Sequence, residues 1–114
     1  MRSFNIYLKD IIDAMIKIED FIKNMSFEEF QNDDKTSSAV IRKFEIIGEA
    51  TKNVPEEIRQ EFSDIPWKEM AGMRDRLIHS YFGVDYKLVW TTIKKRIPEV
   101  KPLIEKIFKN LNQD

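Results

Sequence analysis

Apolar residues recur at helical spacing along nearly the whole chain, and this regularity limits the fold more than any other feature. In the stretch FNIYLKDIIDAMIKIEDFIKN, for example, Ile11, Met15, Ile18 and Ile22 follow one another at intervals of three and four residues. Only three glycines and four prolines interrupt the chain, and no alternating stretch is bounded by hairpin signals. The pattern predicts an all-α fold in which four to five main helices pack as an up-and-down bundle.

Local signals predict where several of these helices begin and end. Ser26 and Glu29 have the spacing of a capping box, and Asp85 can cap the helix that follows it. The polar stretch NDDKTSS is expected to be a loop. The stretch WKEMAGMRDRLIHSYF, residues 67–82, is expected to form one continuous helix that ends at the glycine after it.

The charges are unevenly distributed along the chain, although the net charge is only −1. Residues 1–73 contain ten Lys and Arg against fifteen Asp and Glu, whereas residues 74–114 contain nine against five. So small a net charge excludes a polycation that coats nucleic acid with its whole surface. The basic C-terminal part leaves two interpretations open, a contact surface for an anionic partner or a solvated helix face.

Rare and missing residue types exclude several kinds of chemistry. Without cysteine the chain has no disulfide, thiolate nucleophile or cysteine metal site, which is typical of the reducing cytoplasm. A single histidine excludes a two-histidine metal site within one chain, and we expect neither a metal nor another cofactor. The N-terminus lacks the apolar core of a signal peptide, and no apolar run reaches the roughly 18 residues of a membrane span. We therefore expect a cytoplasmic protein with one domain, residues 1–114.

The segment MRDRLIHSYF, residues 73–82, places a charge where an amphipathic helix should be apolar. On an ideal helix, Arg74 falls within an apolar arc of about 180° that also holds Trp67, Met70 and Leu77. An arc this wide indicates a helix covered on two sides, by its own bundle and by a second chain or a ligand. Arg74 must then pair with a carboxylate, extend to solvent or face a cleft that binds an anion.

The only histidine, His79, follows this arginine by five residues. As a cation in the last turn of a helix it would interact favourably with the helix dipole. It is also the side chain best suited to move protons near neutral pH, and arginine is a natural partner for phosphate. Arg74 and His79 together suit metal-free cleavage of a phosphodiester, with the 2′-hydroxyl of RNA as nucleophile. An ideal helix places them about 140° apart, so either the helix distorts or the two meet across a symmetric dimer.

Other residues have more modest interpretations. Glu49 could pair with Arg74 from the neighbouring helix. Lys94, Lys95 and Arg96 form a basic cluster that could contact RNA phosphates, or could be a solvated surface. Gly48 lies within a predicted helix, where it is expected to permit close contact with another helix rather than to form a phosphate loop.

Three blocks of the sequence stand in an order that is typical of a known family. They are RKFEIIGEA at residues 42–50, IPWKEMAGMRDRLIHSYFGVD at residues 65–85, and the LVW that follows. With these blocks the chain resembles the HepT-like family of the HEPN superfamily over residues 38–93. Proteins of this type are small, all-helical and encoded beside minimal nucleotidyltransferases.

The resemblance implies a set of active-site residues. The signature R-x4-6-H, extended in this branch to R-x4-H-x-Y, is matched by Arg74, His79 and Tyr81, and Asp75 is the polar residue common after the arginine. It implies a metal-independent endoribonuclease that acts as a homodimer, with the motifs of both chains facing one cleft. Arg74 would stabilise the scissile phosphate and His79 would act as general acid and base, so that products end in 2′,3′-cyclic phosphate.

The resemblance also implies a regulatory partner. HepT-like members act as toxins of toxin–antitoxin pairs, and a cognate MntA-like nucleotidyltransferase antitoxin would use ATP to transfer AMP to Tyr81. Adenylate there would add negative charge and bulk where the RNA phosphate should lie. An alternative from a different functional class is a non-catalytic helical module that binds such a nucleotidyltransferase. Tyr81 can at the same time be a half-buried aromatic residue whose hydroxyl group is hydrogen-bonded.

Overall fold

The computed structural model describes residues 4–79 and 83–111, and helices dominate it as the sequence predicts. The prediction of an all-α helical bundle is confirmed. The elements in chain order are α1 (Asn5–Phe21), α2 (Phe27–Asn32), α3 (Asp34–Asn53), α4 (Glu56–Glu61), α5 (Trp67–Ala71), α6 (Met73–Leu77), β1 (Ile78–His79), β2 (Gly83–Val84), α7 (Tyr86–Thr91), a π-helical segment (Thr92–Arg96) and α8 (Ile97–Leu111).

The core lies where α1 packs against α3 and α8. The buried residues of α1 recur at the predicted helical spacing, and they form a stripe that faces α3 and α8. Burial of each aliphatic side chain contributes roughly 1.5–3 kcal/mol to stability. Fully or almost fully buried in this core are Leu8, Ile11, Met15, Ile18, Phe44, Ile47 and Ile104.

The last three helical elements form one continuous helix. Thr92 and Ile97, at the two junctions, both have right-handed helical backbone angles. The side chain of Asp85 accepts a hydrogen bond from the Leu88 N–H at 3.1 Å, which confirms the predicted cap. Near its start, the ring of Trp90 contacts the rings of Phe27 and Phe30, so that α2 is joined to α7 by aromatic packing.

The third helix begins earlier than predicted. The stretch NDDKTSS is not a loop, because Asp33 caps a helix that starts at Asp34. One Asp33 carboxylate oxygen accepts the Thr36 N–H at 2.9 Å, and the other accepts the Thr36 hydroxyl at 2.8 Å. These bonds to the charged form lower the pKa of the Asp33 carboxyl below its usual value. The predicted capping box of Ser26 and Glu29, by contrast, is confirmed at the start of α2.

The predicted continuous helix over residues 67–82 is wrong in two places. Gly72 interrupts it and separates α5 from α6. After Leu77 the chain becomes extended, and Ile78 pairs with Val84 in a short antiparallel hairpin. Gly83 has a φ of +77°, a conformation that glycine adopts without strain. The β-branched Ile78 and the downstream glycine favour this hairpin over a further helical turn.

Candidate active site

A close contact between α3 and α5 supports the segment that carries the signature residues. A Cβ built on Gly48 would lie 3.1 Å from the carbonyl oxygen of Ala71, at the end of α5. The predicted role of Gly48 in close helix contact is therefore confirmed. Because Arg74 follows Ala71 by three residues, this contact also sets how near α6 lies to α3.

Arg74 lies on the exposed side of α6 and not within a buried arc. Met73 and Leu77 are buried, whereas the Arg74 side chain retains half of its accessible surface. The sequence-based placement is wrong because it assumed one regular helix from Trp67 onwards, and the interruption at Gly72 changes the phase. In the structure, Arg74 pairs with a carboxylate and lies at the edge of a cleft. Both arrangements were among the alternatives that the sequence left open.

The carboxylate that binds Arg74 belongs to Glu45 and not to Glu49. The Nε of Arg74 donates a hydrogen bond to Glu45 Oε2 at 2.7 Å. The second Glu45 oxygen lies 3.7 Å from Arg42 Nη1, and Arg74 Nη1 lies 3.7 Å from Asp75 Oδ1. Glu49 instead lies 3.8 Å from the Nζ of Lys52. Glu45 and Glu49 are on the same side of α3, one helical turn apart. The sequence alone therefore does not indicate which of the two lies next to α6.

These side chains surround a cleft of about 190 Å³ between α3 and the α5–α6 segment. Its walls carry three cationic and three anionic side chains, with small residues where the helices approach each other. The lining residues are Arg42, Glu45, Gly48, Glu49, Lys52, Ala71, Arg74 and Asp75. A guanidinium at the edge of such a cleft can accept a phosphate from solvent without being buried.

Of the other two signature residues, His79 is the last described residue before the gap, and Tyr81 lies outside the described residues. His79 is the last residue of β1, and its backbone is paired with Gly83. Its side chain lies outside the described part of the structure, as do residues 80–82, which include Tyr81. The chain between Arg74 and His79 is helical and then extended, so their Cα atoms are no more than about 12 Å apart.

The side chains of the predicted basic cluster, Lys94, Lys95 and Arg96, have different contacts, and their contact with RNA stays a prediction. The Nε of Arg96 donates to Glu69 Oε2 at 3.0 Å, towards α5, and this hydrogen bond raises the pKa of the Arg96 guanidinium. Lys94 has its Nζ 5.0 Å from the centre of the Trp90 ring. Lys95 is exposed. All three residues belong to the π-helical segment Thr92–Arg96, from which the hydrogen bond to Glu69 draws Arg96 towards α5.

Within residues 4–79 and 83–111, no three His, Cys, Asp or Glu side chains are grouped so that they could hold a metal ion. The same ranges contain no helix with both the length and the apolar character that crossing a membrane requires.

Comparison with known proteins connects this geometry to a family. The ribonuclease HepT-like family matches residues 11–107, which include Glu45, Arg74 and His79. The chain belongs to the ribonuclease HepT-like family. Membership confirms the family that the three sequence blocks indicated, and with it the prediction that the protein is a ribonuclease.

Individual relatives extend the similarity over nearly the full length. The Probable ribonuclease HepT of Thermococcus cleftensis is 51% identical over 108 residues, which cover 95% of this chain and 98% of that protein. Two proteins of Methanocaldococcus jannaschii, whose names give RNase as a provisional function, are also 51% identical. Their alignments cover 96% and 98% of this chain and 91% and 97% of the relatives. No solved structure matches the chain.

Proposed function

We propose that this HepT-like ribonuclease is a metal-independent endoribonuclease in which Arg74 stabilises the scissile phosphate and His79 transfers protons. The observation that carries the proposal is the state of the Arg74 guanidinium. It is half exposed at a cleft and bound by Glu45 through Nε. Among the described residues, the hydrogen bond that Arg74 donates to Glu45 comes from Nε, and the Asp75 carboxylate lies 3.7 Å from Nη1, too far for a hydrogen bond. The two terminal nitrogens are the pair that can bind two phosphate oxygens.

The reaction follows from these two groups and the RNA itself. The 2′-oxygen attacks the adjacent phosphorus while its proton passes to the neutral His79 imidazole. The bond from phosphorus to the 5′-oxygen breaks, and protonated His79 or a water molecule supplies the proton to that oxygen. The products are a 2′,3′-cyclic phosphate and a free 5′-hydroxyl. Arg74 stabilises the charge that develops on the phosphoryl oxygens.

Cleavage of a single-stranded RNA oligonucleotide by purified variants tests this mechanism. His79→Ala should lower the rate at least about 100-fold, since general acid–base catalysis contributes that much. Arg74→Ala should lower it by at least about 100-fold as well, because it removes a donor that stabilises charge in the transition state. Arg76→Ala is the matched control, because it removes an exposed arginine that lies 3.6 Å from Glu69 and outside the cleft. EDTA should leave the rate unchanged, and an all-DNA oligonucleotide should not be cut. Equal cleavage by wild type and both signature variants, or a metal requirement, would contradict the mechanism.

We further propose that two copies of the chain form the active unit and that the protein is the toxin of a toxin–antitoxin pair. A cognate MntA-like nucleotidyltransferase would silence it by AMPylation. In that step the Tyr81 phenolic oxygen attacks the α-phosphorus of ATP, the phenolic proton is released, and pyrophosphate leaves. Support comes from the match to the R-x4-H-x-Y signature and from family membership. A charged adenylate two residues from His79 would repel an RNA phosphate.

Intact-mass spectrometry after co-expression with a minimal nucleotidyltransferase encoded beside this protein tests the regulatory proposal. The wild-type mass should increase by one or more adenylate units, and the modified protein should no longer cleave RNA. Tyr81→Phe should keep the unmodified mass, whereas the matched control Tyr86→Phe, in which Tyr86 packs against Phe30, should gain adenylate like wild type. Modification that persists in Tyr81→Phe would place the acceptor elsewhere.

A further inference from the structure

We propose that Glu45 is a positioning residue, which fixes the Arg74 guanidinium with its terminal nitrogens directed at the substrate phosphate. This role rests on the nuclease function proposed above and adds a residue that the R-x4-H-x-Y signature does not contain. Glu45 lies 29 positions before Arg74 in the chain, on a different helix.

The hydrogen bond between the two side chains uses the Nε of Arg74, and the terminal nitrogens carry the other four N–H donors of the guanidinium. The bond from Nε to Glu45 Oε2 measures 2.7 Å, in the range of a charge-assisted hydrogen bond. A guanidinium has five N–H donors in one plane, so a fixed Nε–H also fixes the direction of the terminal nitrogens. The Asp75 carboxylate, 3.7 Å from Nη1 and 87% exposed, is too distant to form a hydrogen bond with that nitrogen.

Glu45 is itself held in place. It belongs to the 20-residue helix α3, where the preceding residue Phe44 is buried in the core. Its side chain is 31% exposed, and Arg42 approaches its second oxygen at 3.7 Å. Gly48, one turn further along α3, keeps the helix close to the segment that carries Arg74. The carboxylate is therefore placed by the core, whereas the long Arg74 side chain alone has many rotamers.

A positioning role and a purely electrostatic role of Glu45 predict opposite effects. A carboxylate this close to Arg74 reduces the net positive charge that RNA meets, so its removal should not weaken RNA binding. If charge were its only contribution, removal should also leave cleavage unchanged or faster. If Glu45 orients the guanidinium, removal should slow the chemical step, because small misplacements of a reacting group are costly in rate.

The test compares kcat and KM for RNA cleavage by Glu45→Ala and Glu45→Gln. Glu45→Ala removes both the charge and the acceptor of the Arg74 Nε–H, and kcat should fall about tenfold while KM stays the same or decreases. Glu45→Gln removes the charge but keeps an acceptor oxygen, so kcat should return to within about threefold of wild type. Exposed ion pairs contribute at most about 1 kcal/mol to stability, so both variants should fold.

Asp13→Ala is the matched control, because it removes the carboxylate of an exposed 2.9 Å ion pair with Lys9 on α1. It should leave kcat and KM within about twofold of wild type. Equal kcat for wild type and Glu45→Ala, in a preparation where Arg74→Ala is inactive, would overturn the positioning role and leave the proposed nuclease function intact. Equal loss in Glu45→Ala and Glu45→Gln would also overturn it, because the hydrogen bond would then be irrelevant. A wild-type chain that cleaves no RNA would overturn the nuclease function, and the positioning role with it.

Discussion

At the scale of single residues, the missing side chain of Gly48 decides how α3 meets α5. A Cβ at this position would lie 3.1 Å from a backbone oxygen of Ala71, and that oxygen can move only with the helix that carries it. Gly48→Val adds two further methyl groups, and we expect it to lower the free energy of unfolding by about 2 kcal/mol, as overpacking of a core does. Urea denaturation followed by circular dichroism measures this change.

Gly72→Ala is the control for Gly48→Val. Gly72 has a φ of −98°, which any residue adopts. A Cβ added there would lie 3.7 Å from the nearest atom, the carbonyl oxygen of Lys68. The free energy of unfolding of Gly72→Ala should stay within about 0.5 kcal/mol of the wild-type value. A Gly48→Val variant as stable as Gly72→Ala would show that the two helices separate without cost.

The sequence predicts which residue types the candidate site contains better than it predicts which residues contact each other there. Arg74 and His79, the proposed catalytic residues, are indicated by their chemistry and by the family signature, which depend on sequence alone. The partner of Arg74 was not, because Glu45 and Glu49 are one turn apart on α3 and equally acidic. The way α3 packs against α5 and α6, with Gly48 close to Ala71, brings Glu45 to the arginine.

At the scale of helices, Pro102 is a local conflict within α8. It lies inside the helix on the exposed side, where its ring replaces a hydrogen-bond donor and presses on the preceding turn. Pro102→Ala should raise the free energy of unfolding by about 1–2 kcal/mol, because the gain in helix propensity exceeds the entropy that proline removes from the unfolded chain. Thermal unfolding measures the change.

Pro55→Ala provides the comparison for Pro102→Ala. Pro55 precedes the first residue of α4 with a φ of −57°, which suits its ring. Its replacement should leave stability unchanged or slightly lower. Stabilisation by Pro55→Ala as large as by Pro102→Ala would mean that the position within the helix is not the cause.

Helix positions could be predicted where the apolar spacing is regular, as in α1, and not where a single residue overrides it. Asp33 starts α3 inside a stretch that reads as a polar loop, through two hydrogen bonds to Thr36. The change from helix to hairpin after Leu77 depends on pairing between Ile78 and Val84, a contact that helical periodicity does not register.

At the scale of the whole molecule, ion pairs connect the acidic part of the sequence, residues 1–73, with the basic part, residues 74–114. Arg74 binds Glu45, and Arg96 binds Glu69, so basic residues of the last third meet acidic residues from before residue 74. Lys101 is likewise hydrogen-bonded to Glu19 of α1. The basic surplus of residues 74–114 therefore contributes to holding the bundle together, and less of it remains as a field for RNA.

If two copies form the active unit with Arg74 of one facing His79 of the other, two inactive variants should restore each other. Co-expressed Arg74→Ala and His79→Ala chains that pair at random form mixed dimers half of the time, and each mixed dimer keeps one intact Arg–His pair. Cleavage per chain should therefore return to about one quarter of the wild-type rate, because a symmetric dimer has two equivalent sites. If both residues acted within one chain, no dimer would contain an intact pair, and the mixture would stay inactive. Native mass spectrometry of the co-expressed chains confirms that mixed dimers are present, and their presence without restored cleavage would exclude a site shared in this way.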